Sequence, residues 1–316
     1  MTPKINSMVY NVYEKTIDIE SDQSSDKLNL NGLKQFTTTD CKKFFAAGST
    51  VPRLVPGTYS IKVDHSTGIY FQKIDIKTDG LLRFPNSNSE KVIKEISKFW
   101  DRESVFKKYK LNYKRGIFLY GPPGSGKSST IQLISEDVVK RDGVVFKFHN
   151  PSLFSDGIRI FREIQPDTPV VVLMEDIDST IESYNESDIL NILDGVDQAS
   201  KVVFLATSNY PERLSQRILN RPSRFDKRFK MDHPDENARR LYFKNLIDDD
   251  AINKCSIDIE EWISATENMS IAHLKELFVT VCILGNSYEE SLEYLRNMSN
   301  IPRSDSDYNK KVGFSW

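Results

Sequence analysis

The sequence predicts an α/β fold: a parallel five-stranded sheet with helices on both faces, a C-terminal helical lid and a small β-rich N-terminal domain. Three observations predict it. Four short apolar runs, "GIFLY", "VVFKF", "VVVLM" and "KVVFLATSN", and a fifth strand-like run, "KRFKM", alternate with helical patterns between Gly116 and Met231, as the strands of a covered parallel sheet do. After "MDHPDE" only helical patterns remain. Before Pro85 apolar residues recur at every second position, the period of a half-buried strand.

In chain order, "IESDQSSDKLNLNG" is polar and loop-like, and "CKKFFAAG" reads as a short helix. From Gly57, Tyr59, Ile61 and Val63 alternate with polar residues. Ile69 and Phe71 resume the alternation after the turn "DHSTG", and "KTDGLLRFP" extends the meander. These strands assign residues 1–86 to a separate β-rich domain, with "PNSNSE" as the linker into the helix "KVIKEISKFWDRESVFKKY". Residues 87–232 hold the strand–helix alternation. Residues 233–316 hold the lid helices "NARRLYFKNLI", "IEEWISAT", "AHLKELFVTVCIL" and "SYEESLEYLRNM" and an irregular tail.

The 316 residues are 39% hydrophobic and 28% charged with a net charge of −2, which argues against a mainly electrostatic nucleic-acid binder while leaving a local basic face open. Cys41, Cys255 and Cys282 stand far apart, so neither a disulfide framework nor a zinc knuckle is expected. The four histidines are isolated and form no HExxH. No apolar run approaches the ~18 residues of a membrane span, and "MTPKINSMVYNVYEK" lacks the apolar centre of a signal peptide. A cytoplasmic protein is expected.

"GPPGSGKS", Gly121 to Ser128, follows a strand and opens a helix, the context of a P-loop. Glycines 121, 124 and 126 let the backbone close around phosphates, and Pro122 and Pro123 stiffen the loop. Ser125 and Ser129 complete the cradle. The helix beneath adds its positive end. Lys127 would neutralise the β- and γ-phosphates and Ser128 would ligate Mg²⁺, so the chain is expected to bind ATP with Mg²⁺.

"VVVLM" runs into Glu175 and Asp176, with Asp178 two residues on. Carboxylates at the end of a buried strand need a cation, a water or a basic partner there. A P-loop site supplies both a metal and an attacking water.

These segments, with "LDGV", "ATSN" and "NRPSRFDKR" in the same order over roughly residues 95–280, resemble the AAA ATPases. "YKRGIFLYGPPGSGKSS" and "LMEDID" are most similar to the branch containing a mitochondrial translocase for folded Rieske protein. Related phage and viral chains fall there too, which would place the protein in a host cytoplasm. Family members carry Asp-Glu where this chain has Glu-Asp. The resemblance implies that Glu175 takes the metal-side position and Asp176 the base position. The alternative makes Glu175 the base and Asp176 a brace.

The resemblance further implies that Asn209 holds the attacking water. Arg221 and Arg224 would reach the neighbouring subunit's site, although Ser223 replaces the usual Gly between them. Such fingers imply a homo-oligomeric ring, most simply a hexamer, with a heptamer also open. In the lid, Ile271 replaces a commoner Gly, so only Ala272 carries over as a nucleotide-contacting residue. Many members grip clients with an aromatic loop after the second strand. Here "KFHNPSLFSDGIR" offers only Phe154 and His149. Three function classes follow: a protein-remodelling ATPase with an unknown client, a nucleic-acid-associated motor or loader, and a slow nucleotide-gated scaffold.

Overall fold

The computed structural model describes residues 35–37, 42, 45–47, 50–64, 68–75, 87–195, 200–221, 223–247 and 257–299. The five runs become β5 (Lys114–Tyr120), β6 (Val144–Lys147), β7 (Val170–Met174), β8 (Val202–Ser208) and β9 (Lys227–Lys230), the last mostly exposed. They follow β1 (Gln35–Thr37), β2 (Phe45–Ala47), β3 (Gly57–Asp64) and β4 (Gly68–Ile74). One sheet has seven strands in the order β4-β3-β6-β7-β8-β5-β9, and only the β3–β4 pairing is antiparallel.

The hairpin β3–β4, expected in a separate domain ending at residue 86, instead continues the central sheet. Gly57–Ser60 pair in parallel with Val144–Lys147. Ile61 fills the space that a Cβ at Gly157 would occupy, its Cγ2 lying 2.5 Å from that position. Alternation reports which side of a strand is apolar and not which strand lies next to it. The sheet therefore has seven strands where five were expected. Phe45–Ala47, expected in a helix, is β2 and pairs with β1; short apolar runs do not separate the two states. "KTDGLLRFP" and the C-terminal tail lie outside the described residues.

Because β6, β7 and β8 are flanked on both sides, their alternation sorts residues between two cores. Val171, Leu173, Val203 and Leu205 meet Ile131, Ile134 and Val138 of α3 (Lys127–Lys140) and Val92 and Ile96 of α1 (Asn88–Trp100). Val170, Val172, Met174, Phe204 and Ala206 meet Phe154, Ile158 and Phe161 of α4 (Pro151–Ile164) and Ile189 and Leu193 of α6 (Glu186–Gly195). Burying each such side chain contributes roughly 1.5–3 kcal/mol.

The single helix expected over 91–109 is two, α1 and α2 (Glu103–Lys108), turning at Asp101–Arg102. The turn lets Phe99 stack on Tyr113 at 4.4 Å while Phe106 meets the same ring at 5.0 Å. Between the sheet strands lie also α5 (Ile177–Ser183) and α7 (Gln216–Leu219). The lid comprises α8 (Glu236–Leu246), α9 (Ile259–Ala265), α10 (Ile271–Phe278), a π-helical turn (Val279–Ile283) and α11 (Tyr288–Ser299). It has its own core around Phe243, Trp262, Leu274, Leu277 and Leu295. Among the described residues no helix is long and apolar enough to cross a membrane.

Candidate active site

Parallel pairing brings the C-terminal ends of β5, β6, β7 and β8 to one edge of the sheet, where α/β folds bind ligands. The loop from Gly121 to Gly126 leaves β5 at this edge and turns into α3. Gly126 caps α3 at φ 88° with nothing within 4 Å of a Cβ position, so the helix N-terminus is open to a ligand. Gly124 has φ 74°, and a Cβ there would stand 2.6 Å from Ser270 Oγ at the start of α10. Only glycine allows the loop to approach the lid this closely.

Lys127 is buried at the first turn. Its Nζ donates to the carbonyls of Gly121 and Pro122, each at 2.8 Å, and to Ser125 Oγ at 3.3 Å. Burial pushes its pKa down, against the opposing charges of Asp176 and Asp178. Ser128 and Ser129 are exposed beside it. A cavity of about 710 Å³ opens above the loop, with Asn88, Asp176, Thr207, Asn209, His233 and Lys275 in its wall. Gly124–Ser129, Pro123, Glu175 and Ala272 border the same cavity.

The period of β7 places Glu175 on the α3 face, in line with Val171 and Leu173. Its Oε1 lies 3.3 Å from Nζ of Lys147, which ends β6 on that face. Asp176 breaks the strand: at φ 46° and ψ 55° it takes the left-handed conformation and caps α5. Its N–H donates to Thr207 Oγ1 at 3.1 Å, and its Oδ1 accepts from Asn209 Nδ2 at 3.2 Å. Burial, followed by the charges of Asp178 and Glu175, raises the Asp176 pKa above the ordinary carboxylate range, while Lys127 lowers it. Asp178 is buried, and its Oδ1 has no hydrogen-bond partner.

The two arginines have different placements. The Arg221 side chain is 61% exposed and holds Asp194 Oδ2 at 3.1 Å. Arg224, expected to reach another subunit, is 4% exposed; its Nε and Nη2 bind both oxygens of Asp194 at 2.9 and 2.5 Å, and its Nη1 binds the Arg217 carbonyl. The guanidinium beside Asp194 holds that carboxyl below its usual range. Ser223 has φ 79°, the conformation glycine takes in such a turn, and its N–H donates to Asp226 Oδ1 at 3.2 Å.

Sequence reasoning missed Lys147, Asp194 and Thr207. The signal for each was a polar residue at the end of an apolar strand or helix. Phe154 is buried and packs edge-on against Phe148 at 5.2 Å, and only Phe148–Asn150 separate β6 from α4. The two client-gripping candidates therefore part company: Phe154 is core and His149 is exposed.

The residues fit Mg²⁺ and a triphosphate. The cradle is open above Gly126, and the available donors are hard oxygens. Among the described residues no three His, Cys, Asp or Glu converge as a metal cage. Mg²⁺ shared by phosphate, water and one or two protein oxygens requires none.

The profile of the ATPase family associated with various cellular activities (AAA) matches residues 117–233. The chain is 25% identical over 226 residues to a putative cell division cycle ATPase of Plasmodium falciparum, covering 66% of this chain and 18% of that protein. It is 29% identical over 161 residues to the ATPase family gene 2 protein of Schizosaccharomyces pombe, 45% of this chain and 19% of that protein. It is 28% identical over 215 residues to the proteasome-activating nucleotidase of Methanococcus vannielii, 60% of this chain and half of that protein. The chain thus spans half or less of the length of these relatives.

Proposed function

We propose, from the match of residues 117–233 to the AAA ATPase profile, that the chain hydrolyses ATP with Mg²⁺ as one subunit of a ring and uses the cycle to remodel or move protein clients. The observation that carries this reading is the convergence of the Gly121–Gly126 cradle, Lys127, the Glu175–Asp176 pair and Asn209 on one cavity at the end of the parallel strands. Lys127 and the α3 N-terminus hold the phosphates. Ser128 and Glu175 would hold Mg²⁺, which would supply charge withdrawal from the phosphoryl oxygens. Asp176, held by Asn209, takes the proton of the attacking water. For Glu175 to turn to a metal, it exchanges its Lys147 partner.

A trans-acting arginine supports the ring, a hexamer in its simplest form: Arg221 is exposed, and Arg224 braces it through Asp194. Relatives named proteasome-activating nucleotidases support work on proteins. The three-residue β6–α4 link and the buried Phe154 speak against an aromatic loop gripping an unfolded strand there. The proposed client is therefore a folded or partly folded protein. The branch resemblance carried by "LMEDID" points the same way, and that resemblance alone suggests a cytoplasmic, virus-encoded setting.

Phosphate release by the purified chain with ATP and Mg²⁺ tests the reading. Turnover per subunit should rise with protein concentration as rings form. Material that binds no ATP at millimolar levels, or releases no phosphate at any concentration, ends it.

A further inference from the structure

We propose that Thr207 is a positioning residue for hydrolysis, its hydroxyl fixing the backbone turn that aims the Asp176 carboxylate. The inference rests on the ATPase reading above and adds a residue to it. Along β8, Val203, Leu205 and Thr207 share the face covered by α3. The first two are buried apolar side chains, whereas the third places a buried hydroxyl at the wall of the nucleotide cavity. A hydroxyl in that position is costly unless it is bonded. Thr207 Oγ1 accepts the main-chain N–H of Asp176 at 3.1 Å.

That N–H belongs to the one residue whose conformation redirects the chain. β7 ends at Met174, and α5 begins at Ile177. Had the strand continued, Asp176 would face the opposite side of the sheet from Glu175. The left-handed turn at φ 46° and ψ 55° directs it instead to the cavity. Aspartate tolerates this region better than most residues, yet it is held there by its surroundings. Two residues at the tip of β8 do the holding: Thr207 takes the amide, and Asn209 takes the carboxylate at 3.2 Å. Residue 207 therefore sets the backbone from which the base projects, and 209 sets the orientation of its oxygens.

The test uses the full chain, with Thr207→Val as the shape-preserving loss of the hydroxyl and Thr207→Ser as its conservative retention. Nucleotide affinity, read with a fluorescent ATP analogue, should stay within about twofold in both. For Thr207→Val, kcat should fall roughly 10- to 100-fold, the scale of a misplaced reacting group, and Thr207→Ser should recover most of it. In an Asp176→Asn background, Thr207→Val should lower kcat no further, because the two changes act on one group. Should Thr207→Val prove too unstable to assay, Thr207→Ala against Thr207→Ser makes the same comparison. Wild-type kcat in the valine variant overturns the proposal, as does an equal loss in valine and serine variants or a change in KM alone. A wild-type chain that releases no phosphate overturns the ATPase reading itself, and this assignment with it.

Discussion

Asn209 donates its side-chain amide to Asp176 Oδ1 across 3.2 Å, linking the tip of β8 to the second acid after β7. Both residues line the same cavity. If Asp176 is the base, Asp176→Asn removes a contribution of about 10²- to 10⁴-fold in kcat while leaving ATP binding in place. Single-turnover phosphate release alongside a binding titration checks this. Equal hydrolysis by the variant moves the role to Glu175.

Arg221 and Arg224 bind the same carboxylate, yet their substitutions should read out differently. Arg221 is an exposed partner of Asp194, a contact worth at most about 1 kcal/mol. Arg221→Ala should leave the Tm nearly unchanged and lower turnover by on the order of 10³-fold or more, the scale of an arginine supplied in trans. Arg224 is buried, and removing it leaves Asp194 with only the exposed Arg221 as an ion-pair partner. Arg224→Ala should cost about 3 kcal/mol, the lower end for a broken buried pair because Asp194 keeps some contact with water. Denaturant melts of both variants, beside their turnover numbers, separate the two roles.

The raised pKa of Asp176 sets two pH dependences of opposite sense. If Asp176 is the base it must be ionised, so kcat should fall as pH drops through its midpoint, which burial raises and bound Mg²⁺ would lower. For stability the sign reverses. A carboxyl whose folded pKa exceeds its unfolded value contributes stability below the unfolded pKa and loses it as pH rises through the folded one. Ionised Asp176 therefore weakens the fold at neutral pH. Asp176→Asn should raise the Tm at pH 7 and do so less near pH 4, a comparison that thermal melts make directly.

Much of this was legible before any coordinates. Four of the five expected parallel strands follow from mainly apolar runs, and the loop at Gly121–Ser128 follows from glycine spacing beside a Lys-Ser pair. What stayed hidden depended on partners distant in the chain. Arg224 was expected to reach a neighbouring subunit, and its burial is set by Asp194, thirty residues earlier. The break between α1 and α2 carries neither glycine nor proline; Tyr113, beyond both helices, draws Phe99 and Phe106 onto one ring. Lys147 closes a strand as an ordinary polar terminus would, and only the neighbouring β7 supplies Glu175 beside it.

The parallel pairing of β3 with β6 also decides where this chain can be cut. Trimming to residue 87, the start of the strand–helix pattern, would strip two strands and lay open the backbone edge of β6 along Val144–Lys147. It would also uncover Phe146 and Phe161, which the hairpin's Phe71 covers at 5.8 and 6.3 Å. An unpaired apolar edge recruits other chains. The shortest piece that stays dispersed should therefore begin before Gly57, and light scattering of fragments begun on either side of the hairpin would reveal the difference.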